Sequence, residues 1–314
     1  MKPEFLAIVG PTASGKTGLS LHIGRELGAE VISMDSRQIY RGMDIGTGKV
    51  TLQERAILPH HGLDIRNPDE RYSAGQFARD ARGWIQDIRA RGKVPLLVGG
   101  TGFFLKSLTH PMFREPDLDQ ETLDRLRSFL NGLPQEHLDY FVRKLDPERA
   151  QAGQEGRQRA TRTVEVALLT GRPLSWWHQE SGSEEEPLKG LIVLLAPPRE
   201  ALYEKINRRV GQMVAEGLID EVRGLLKAGY EAGDPGMTGA GYREIVRHLQ
   251  GEWTVEEATE GIRRSHRKYA RRQTTWFRHQ LPPGGVVVEE MDELDQTAKQ
   301  VLAAWAAAEE KDAA

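Results

Sequence analysis

A glycine-containing loop between a predicted strand and a predicted helix limits this chain to a small group of folds. Residues 5–9 are a continuous apolar run, and residues 16–27 are amphipathic. The segment between them matches Gly-x-x-x-x-Gly-Lys-Ser/Thr in a strand–loop–helix context, which is typical of a phosphate-binding loop. The loop consists of Gly10, Pro11, Thr12, Ala13, Ser14, Gly15, Lys16 and Thr17. Its N–H groups would bind phosphate oxygens, Lys16 adds a positive charge, and the Thr17 hydroxyl is placed to ligate Mg²⁺.

Predicted strands alternate with predicted helices on both sides of a helical block. Strand-sized apolar runs occupy residues 5–9, 30–34, 61–65, 94–98, 190–195 and 286–288. This alternation favours an α/β fold with a parallel, P-loop-type sheet that has helices on both faces. The spacing predicts helices, and no strand, between residues 111 and 189. We therefore predict a catalytic core at residues 1–110 and 190–288, a mainly helical insertion domain at 111–189, and a C-terminal tail at 289–314 that forms a surface helix with a frayed end.

The composition excludes several kinds of site. The 314 residues include no cysteine, which excludes disulfides, cysteine-based zinc sites, iron–sulfur clusters and a thiol nucleophile. The net charge is -3, so the chain is not a polycationic arm, although a local basic surface is still possible. No apolar run reaches the ~18 residues that a membrane-spanning helix needs. We expect a cytoplasmic monomer with no membrane association.

Two polar residues follow strands whose carboxyl ends would face one crevice of the sheet. Asp35 follows the strand at 30–34, and its carboxylate can accept a proton from an attacking nucleophile. Thr101 follows the strand at 94–98, and its hydroxyl can bind a phosphate oxygen or the acceptor. Both residue types are also common in turns. The strand at 94–98 does not end in an acidic residue, which weakens an interpretation as an ATPase.

A segment near the C-terminus concentrates positive charge. It contains Arg263, Arg264, Arg267, Lys268, Arg271, Arg272 and Arg278, and no Asp or Glu occurs from residue 261 to 288. On a helix these side chains would form columns of like charge, which repel unless an anion compensates them. Tyr269, Trp276 and Phe277 lie among them, a mixture that suits a nucleic-acid backbone with an unstacked base. The alternative is a solvated helix face with aromatic residues in the core.

Several motifs, taken together, resemble the tRNA dimethylallyltransferase (tRNA isopentenyltransferase) family. They are the loop at 10–17, Asp-Ser-x-Gln-Ile-Tyr at 35–40, Gly-Met-Asp-Ile-Gly-Thr at 42–47, Leu-Asp-Ile at 63–65 with Tyr-Ser-Ala at 72–74, Leu-Val-Gly-Gly-Thr-Gly at 97–102, Gly-Ala-Gly-Tyr-Arg-Glu at 239–244, and Arg-Arg-Gln-Thr-Thr-Trp-Phe-Arg at 271–278. The ordered set is far more specific than the loop alone. Without cysteines the chain resembles the bacterial form, which lacks the zinc-finger extension of eukaryotic relatives. It departs from the family at 152–156, where Ala-Gly-Gln-Glu-Gly replaces a common His-Pro-Asn stretch.

The resemblance implies transfer of a dimethylallyl group from dimethylallyl diphosphate to N6 of the adenosine beside the anticodon (position 37) of tRNA, with release of diphosphate. It implies that Asp35 is the general base, that Thr101 contacts the bridging oxygen, and that Arg209 and a Mg²⁺ ion at Thr17 help to hold the diphosphate. It also implies an interface with the tRNA anticodon stem-loop, formed by Asp35, Ser36, Arg37, Gln38, Gln158, Arg159, Arg162, Gly239, Gly241, Tyr242, Arg243, Arg271, Arg272, Gln273, Trp276 and Arg278.

The residues alone leave three other functions open. A small-molecule P-loop kinase would use Asp35 as the base on a substrate hydroxyl. An adenylate isopentenyltransferase would use the same loop and base on a free nucleotide, and would need neither the segment at 271–278 nor the insertion. A nucleotide-gated RNA-binding protein would carry out no chemistry.

Overall fold

A parallel β-sheet forms the centre of the larger of two compact units. The computed structural model describes residues 2–110, 118–151, 156–180, 186–281, 285–289 and 294–310. Residues 1–109 and 188–314 form the larger unit, and residues 110–187 form the other. In the described residues the strands are β1 (Phe5–Val9), β2 (Ala29–Ser33), β3 (His60–His61), β4 (Val94–Gly99), β5 (Gly190–Leu195) and β6 (Val286–Val288). Their order is β3-β2-β4-β1-β5-β6 and every pair is parallel.

Helices cover both faces of this sheet. The described residues of the larger unit form the helices α1 (Lys16–Glu26), α2 (Leu52–Ile57), α3 (Ala74–Ala90), α4 (Gly102–Thr109), α10 (Arg199–Ala215), α11 (Leu218–Lys227), α12 (Tyr242–Leu249), α13 (Val255–Gln280) and α14 (Leu294–Glu310). Those of the smaller unit form α5 (Gln120–Gly132), α6 (Gln135–Leu145), α7 (Pro147–Gln151), α8 (Arg157–Thr170) and α9 (Leu174–Glu180). In β1, Phe5 and Ala7 pack in a cluster with residues of α3, α4 and α13, whereas Leu6 and Ile8 pack in a cluster with residues of α1 and α14. This two-sided burial explains the continuous apolar run and confirms the predicted α/β fold.

The described residues of the smaller unit form helices and connecting turns, and no strand. Its core includes Leu130, Leu138 and Val164. Arg127 forms a two-point ion pair with the buried carboxylate of Glu165, with Nε–Oε1 and Nη2–Oε2 distances of 2.5 and 2.8 Å. Of the departure from the family motif at residues 152–156, residues 152–155 lie outside the described residues, as do 111–117 and 181–185.

The C-terminal tail forms the predicted helix, but this helix is anchored more closely than the prediction implies. One face of α14 packs on the core, where the side chains of Val301 and Trp305 are buried with residues of β6 and α1, and the other face is exposed. These two residues are four apart, so they share one helix face, but the surrounding alanines make that stripe faint in the sequence. Residues 290–293 and 311–314 of the tail lie outside the described residues.

The predicted strand at 61–65 is also shorter than expected. β3 contains only His60 and His61, and Asp64 adopts a left-handed backbone conformation with φ 56°. The Asp64 carboxylate accepts hydrogen bonds from Lys49 at 2.6 Å and from Arg55 at 2.7 Å. The segment after β3 is therefore a turn held by ion pairs rather than a strand.

Candidate active site

The loops that follow β1, β2 and β4 open into one cavity at the carboxyl edge of the sheet. The cavity has a volume of about 1010 Å³. Residues of α10 and α13 and the loop before α12 complete its wall. The residues predicted for diphosphate binding and catalysis that line it are Thr12, Ala13, Ser14, Gly15, Lys16, Thr17, Asp35 and Arg209, whereas Gly10, Pro11 and Thr101 do not line it. The fold thus brings these residues together from three distant parts of the chain.

The phosphate loop is closed around its own lysine. Lys16 Nζ donates hydrogen bonds to the carbonyl oxygens of Gly10 at 3.0 Å and Pro11 at 2.6 Å. The loop turns through left-handed conformations at Ala13, with φ 62°, and at Gly15, with φ 94°. The surrounding protein desolvates the ammonium group and lowers the pKa of Lys16 to about 7, while the negative charge of Asp35 opposes the shift. An anion in the loop would favour the charged form of this lysine.

Asp35 lies in a turn that its own side chain stabilises. Its Oδ1 accepts a hydrogen bond from the backbone N–H of Arg37 at 2.9 Å. Arg37 Nη1 donates to the carbonyl oxygen of Pro235 at 2.6 Å, and Gln38 Nε2 donates to that of Gly48 at 3.2 Å. The turn role and the catalytic role that the sequence allows for Asp35 are thus compatible. Arg37 and Gln38, predicted to contact tRNA, fix this turn against two neighbouring loops.

Arg209 extends from α10 towards the phosphate loop. Its Nη1 lies 3.4 Å from the hydroxyl oxygen of Thr12, and its Nη2 donates to the carbonyl oxygen of Gly48 at 3.3 Å. Burial lowers the pKa of Arg209, and Asp35 opposes this effect. Because an arginine stays charged in proteins, the cavity contains a desolvated cation that suits an anionic ligand.

Thr101 and Gln273 connect the loops on the opposite side of the cavity. Thr101 Oγ1 accepts a hydrogen bond from the backbone N–H of Ser36 at 3.1 Å. Gln273 Oε1 accepts from the backbone N–H of Thr12 at 2.9 Å, and its Nε2 donates to the carbonyl oxygen of Gly100, also at 2.9 Å. The side chain of Gln273 is buried. Gln273 therefore holds the two loops together, and it also lines the cavity.

Ion pairs neutralise part of the positive charge on the basic helix α13. Arg263 and Arg267 pair with the carboxylate of Glu260, one residue before the segment without acids, at 3.4 and 2.8 Å. The expectation that the whole array requires an external anion is therefore wrong for its first turns. Within α13, all of which is described, the exposed cations that form no ion pair are Arg264, Lys268, Arg271, Arg272 and Arg278. We call these five residues the basic face.

The other predicted tRNA contacts lie in different environments. Tyr242 is buried and its hydroxyl donates to Glu221 at 2.7 Å, so its side chain has a packing role here. Arg243 is exposed close to the cavity. Trp276 is half-buried and covers Gly102, where an added Cβ would lie 2.1 Å from the indole ring. Gly239 and Gly241 belong to the loop before α12, and Gly239 lines the cavity.

Predicted tRNA contacts also occur in the smaller unit. Gln158 and Arg159 are exposed on α8, and Arg162 Nη1 lies 3.9 Å from Glu165 Oε2. Arg157, which precedes them, instead donates to the carbonyl oxygens of Leu130, Asn131 and Leu133 at the end of α5. Arg157 is therefore a helix cap.

Three further residues shape the site and were not predicted as part of it from the sequence. Glu221 accepts hydrogen bonds from the backbone N–H groups of Asp44, Ile45 and Gly46 at 2.7 to 3.0 Å. Lys49 is buried and donates to Tyr40, Asp44 and Asp64. His266 lines the cavity, where burial and then Arg209 lower its pKa to about 4. Their partners are distant in sequence or in irregular loops, so no local motif marks them.

The described residues contain no cluster of three or more His, Cys, Asp or Glu side chains that could hold a metal ion. None of their helices is long and apolar enough to cross a membrane.

Comparisons with known proteins identify relatives along most of the chain. The family model described as IPP transferase matches residues 38–280, and the model described as isopentenyl transferase matches residues 3–59. The tRNA dimethylallyltransferase of Syntrophobacter fumaroxidans is 43% identical over 274 residues, which cover 86% of this chain and 80% of the relative. That of Geobacter metallireducens is 42% identical over 278 residues, which cover 88% and 90%.

Solved structures agree with these relatives. The full-length tRNA isopentenylpyrophosphate transferase of Bacillus halodurans is 34% identical with a TM-score of 0.70, and the match covers 100% of both chains. A eukaryotic dimethylallyltransferase, described as acting on tRNA, is 27% identical with a TM-score of 0.78 over 96% of this chain and 77% of that one. The chain therefore belongs to the IPP transferase family and is an enzyme of the tRNA dimethylallyltransferase type.

Proposed function

We propose that this enzyme transfers the dimethylallyl group of dimethylallyl diphosphate to N6 of adenosine 37 in tRNA and releases diphosphate. The observation that carries the proposal is the arrangement of Lys16, Arg209 and Asp35 around one cavity, beside the helix that carries the basic face. Two cations suit a diphosphate, and a carboxylate suits the removal of a proton from the acceptor. The names of the bacterial relatives support the same donor and acceptor.

The phosphate loop would bind the leaving group. Its N–H groups, the N-terminus of α1, Lys16 and Arg209 would together stabilise the negative charge that develops on the diphosphate as its bond to the allylic carbon breaks. We propose that the Thr17 hydroxyl and the diphosphate oxygens hold Mg²⁺, which fits the preference of this ion for few protein ligands together with phosphate and water. When bound, the metal would neutralise part of the diphosphate charge.

Asp35 would act on the acceptor. As N6 of adenine forms a bond to the allylic carbon, one of its protons would pass to the Asp35 carboxylate, and the bond between that carbon and the bridging oxygen would break. An exocyclic amine is a weak nucleophile, so a positioned base and a positioned donor both contribute. Thr101, at the end of β4, would contact the bridging oxygen.

The acceptor would be held through its phosphates and one unstacked base. The basic face offers exposed cations, and bases in a single-stranded loop can leave their stack at low cost. We propose that Gln158, Arg159 and Arg162 of a helical insertion domain contribute further contacts to the anticodon stem-loop. All of the proposed site residues come from one chain, and we propose that the enzyme acts as a monomer in the cytoplasm, with its tRNA substrates.

A labelling experiment separates this function from its alternatives. The enzyme is incubated with Mg²⁺, radiolabelled dimethylallyl diphosphate and unmodified tRNA, and parallel reactions contain AMP, ADP or ATP as acceptors. The proposal predicts label in tRNA only. Label in a free nucleotide would indicate an adenylate isopentenyltransferase. Consumption of ATP without label transfer would indicate a kinase or an ATPase.

A further inference from the structure

The backbone carbonyl of Gly48 links two side chains of the cavity wall. Its oxygen accepts a hydrogen bond from Gln38 Nε2 at 3.2 Å and another from Arg209 Nη2 at 3.3 Å. A carbonyl oxygen has two lone pairs, so these two donors together satisfy it. The position of the Gln38 amide and that of the Arg209 guanidinium are therefore coupled through one oxygen atom.

The amide of Gln38 is held at both of its ends. The hydroxyl of the buried Ser33, at the end of β2, donates to Gln38 Oε1 at 3.3 Å. The Gly48 carbonyl can only accept, so the amide nitrogen must face it, and this fixes the orientation of the amide. Gln38 thus connects the end of a central strand to the loop that contains Gly48.

The contacts of Arg209 leave it able to bind an anion. Its Nη1 lies 3.4 Å from Thr12 Oγ1 in the phosphate loop, and its Nη2 is held by Gly48. Both partners are neutral oxygen atoms. A guanidinium has five N–H donors, so it can bind an anionic ligand while it keeps these two contacts. The Gly48 carbonyl is therefore suited to orient Arg209 without neutralising its charge.

Gln38 belongs to the same turn as the proposed general base, Asp35. Burial lowers the pKa of Arg209, and the negative charge of Asp35 opposes this effect, so the two charges interact across the cavity. The hydrogen bonds of Gln38 join the turn that carries Asp35 to the loop that holds Arg209. The base proposed for the acceptor and the cation proposed for the leaving group thus have a physical connection.

We propose that Gln38 is a positioning residue of the donor site, which holds Arg209 towards the diphosphate through the Gly48 carbonyl. This inference rests on the proposed function, in which Arg209 binds the diphosphate. It gives Gln38 a role other than the tRNA contact that the family resemblance implies. Without the Gln38 amide, the Gly48 carbonyl loses one of its two donors, and Arg209 loses a fixed acceptor. Gln38 does not touch the reacting atoms and acts through Gly48 and Arg209.

The test is a double-mutant cycle between Gln38→Ala and Arg209→Ala. The quantity measured is the Kd for inorganic diphosphate with Mg²⁺ and without tRNA, by calorimetry. We expect Gln38→Ala to raise this Kd roughly five- to tenfold, the effect of one neutral hydrogen bond. Gln38→Met keeps the length of the side chain but cannot donate, so it should raise the Kd by a similar factor. In the Arg209→Ala background, Gln38→Ala should have no further effect.

Two further measurements separate positioning from other roles. Gln53→Ala is the matched control, because Gln53 is exposed on α2 and does not line the cavity, so its Kd for diphosphate should equal that of the wild type. The affinity of Gln38→Ala for tRNA, measured by filter binding without donor, should also equal that of the wild type. Thermal melts of all variants report folding separately.

Three results would overturn the inference. They are an unchanged Kd for diphosphate in Gln38→Met, an equal further rise of this Kd in the Arg209→Ala background, and weaker tRNA binding with unchanged diphosphate binding by Gln38→Ala. The last result would indicate the tRNA contact instead. A wild-type enzyme that binds diphosphate but transfers no dimethylallyl group to tRNA would refute the proposed function itself. An active wild type with an unaffected Gln38→Ala variant would refute only this inference.

Discussion

The side chain of Gln273 hydrogen-bonds Thr12, which lies 261 residues earlier in the chain, at 2.9 Å. The same amide donates to the carbonyl oxygen of Gly100 at 2.9 Å. One buried residue of the basic helix therefore fixes both the phosphate loop and the loop that presents Thr101. The donor-binding and acceptor-binding parts of the proposed site are physically joined at this amide.

Replacing Gln273 with Ala should weaken both the fold and the donor site. The change leaves the N–H of Thr12 and the carbonyl of Gly100 without this partner, at a cost of roughly 1–3 kcal/mol in the free energy of unfolding for a buried polar group. We expect a lower melting temperature and a higher Kd for dimethylallyl diphosphate, measured by calorimetry. Gln280→Ala is the control, because Gln280 is exposed on the same helix and bonds only Lys106 at 3.0 Å among the described contacts. Equal melting temperatures and Kd values for the two variants would refute the coupling.

The lowered pKa of Lys16 predicts pH-dependent donor binding. Below pH 7 the free enzyme already has a charged Lys16, whereas above pH 7 an anion must bind together with a proton. The terminal phosphate of dimethylallyl diphosphate is already fully ionised in this range because its pKa is about 6. The Kd for dimethylallyl diphosphate should therefore rise between pH 7.5 and 9 as Lys16 loses its proton, by up to about tenfold per pH unit. Proton uptake on binding should be detectable by calorimetry in buffers of different ionisation enthalpy.

Lys16→Arg provides the comparison for this prediction. Arginine stays charged over the whole range, so the variant should show a flat Kd between pH 7.5 and 9, whatever its absolute affinity. If the variant and the wild type have the same slope, the pH dependence comes from another group.

The exposed part of α13 should dominate the salt dependence of tRNA binding. Arg271→Ala removes a cation of the basic face, so the affinity for tRNA should fall. The slope of log K against log salt concentration should also become less steep by about 0.7 to 0.9, the value for one phosphate contact. Arg263→Ala is the control, because Arg263 already pairs with Glu260 at 3.4 Å. Filter binding at several salt concentrations measures both. Identical slopes for the two variants would contradict the division of the helix into compensated and exposed parts.

Glu221 should stabilise the cavity wall from a distance. Its carboxylate accepts three backbone N–H groups of the loop whose Gly48 carbonyl binds Arg209. Glu221→Gln lacks the charge, and we expect a loss of roughly 1–3 kcal/mol in the free energy of unfolding with weaker binding of dimethylallyl diphosphate. Asp220→Asn, next to it on α11, changes only an exposed pair with Arg223 and should have little effect. Denaturant titrations of both variants would show an equal loss if the hydrogen bonds that Glu221 accepts from the backbone are unimportant.

Much of the fold is predictable because it follows local patterns. Continuous apolar runs predict β1, β4, β5 and β6, since strands buried on both faces have no polar side. The failures have physical reasons. The alanine-rich sequence around Val301 and Trp305 hides the buried stripe of α14, and ion pairs at Asp64 end β3 early.

The site is predictable where its chemistry is local. The phosphate loop and the positions of Asp35 and Thr101 at strand ends follow from spacing and from the geometry of parallel sheets. The roles of Gln273 and Glu221 do not, because each depends on partners more than 170 residues away. The pairing of Arg263 and Arg267 with Glu260 shows that a charge run must be compared with its flanking residues before it is called unpaired.

The most direct test of the proposed chemistry compares the wild type with Asp35→Asn. Asparagine retains an oxygen that can accept the N–H of Arg37 but cannot take a proton as a carboxylate does. Each enzyme is incubated with dimethylallyl diphosphate, Mg²⁺ and unmodified tRNA, and digested tRNA is analysed by mass spectrometry. We predict N6-dimethylallyladenosine at position 37 from the wild type, and a rate at least about 100-fold lower from Asp35→Asn with unchanged tRNA affinity. Equal rates for the two enzymes, or a modified nucleoside other than this one, would contradict the account.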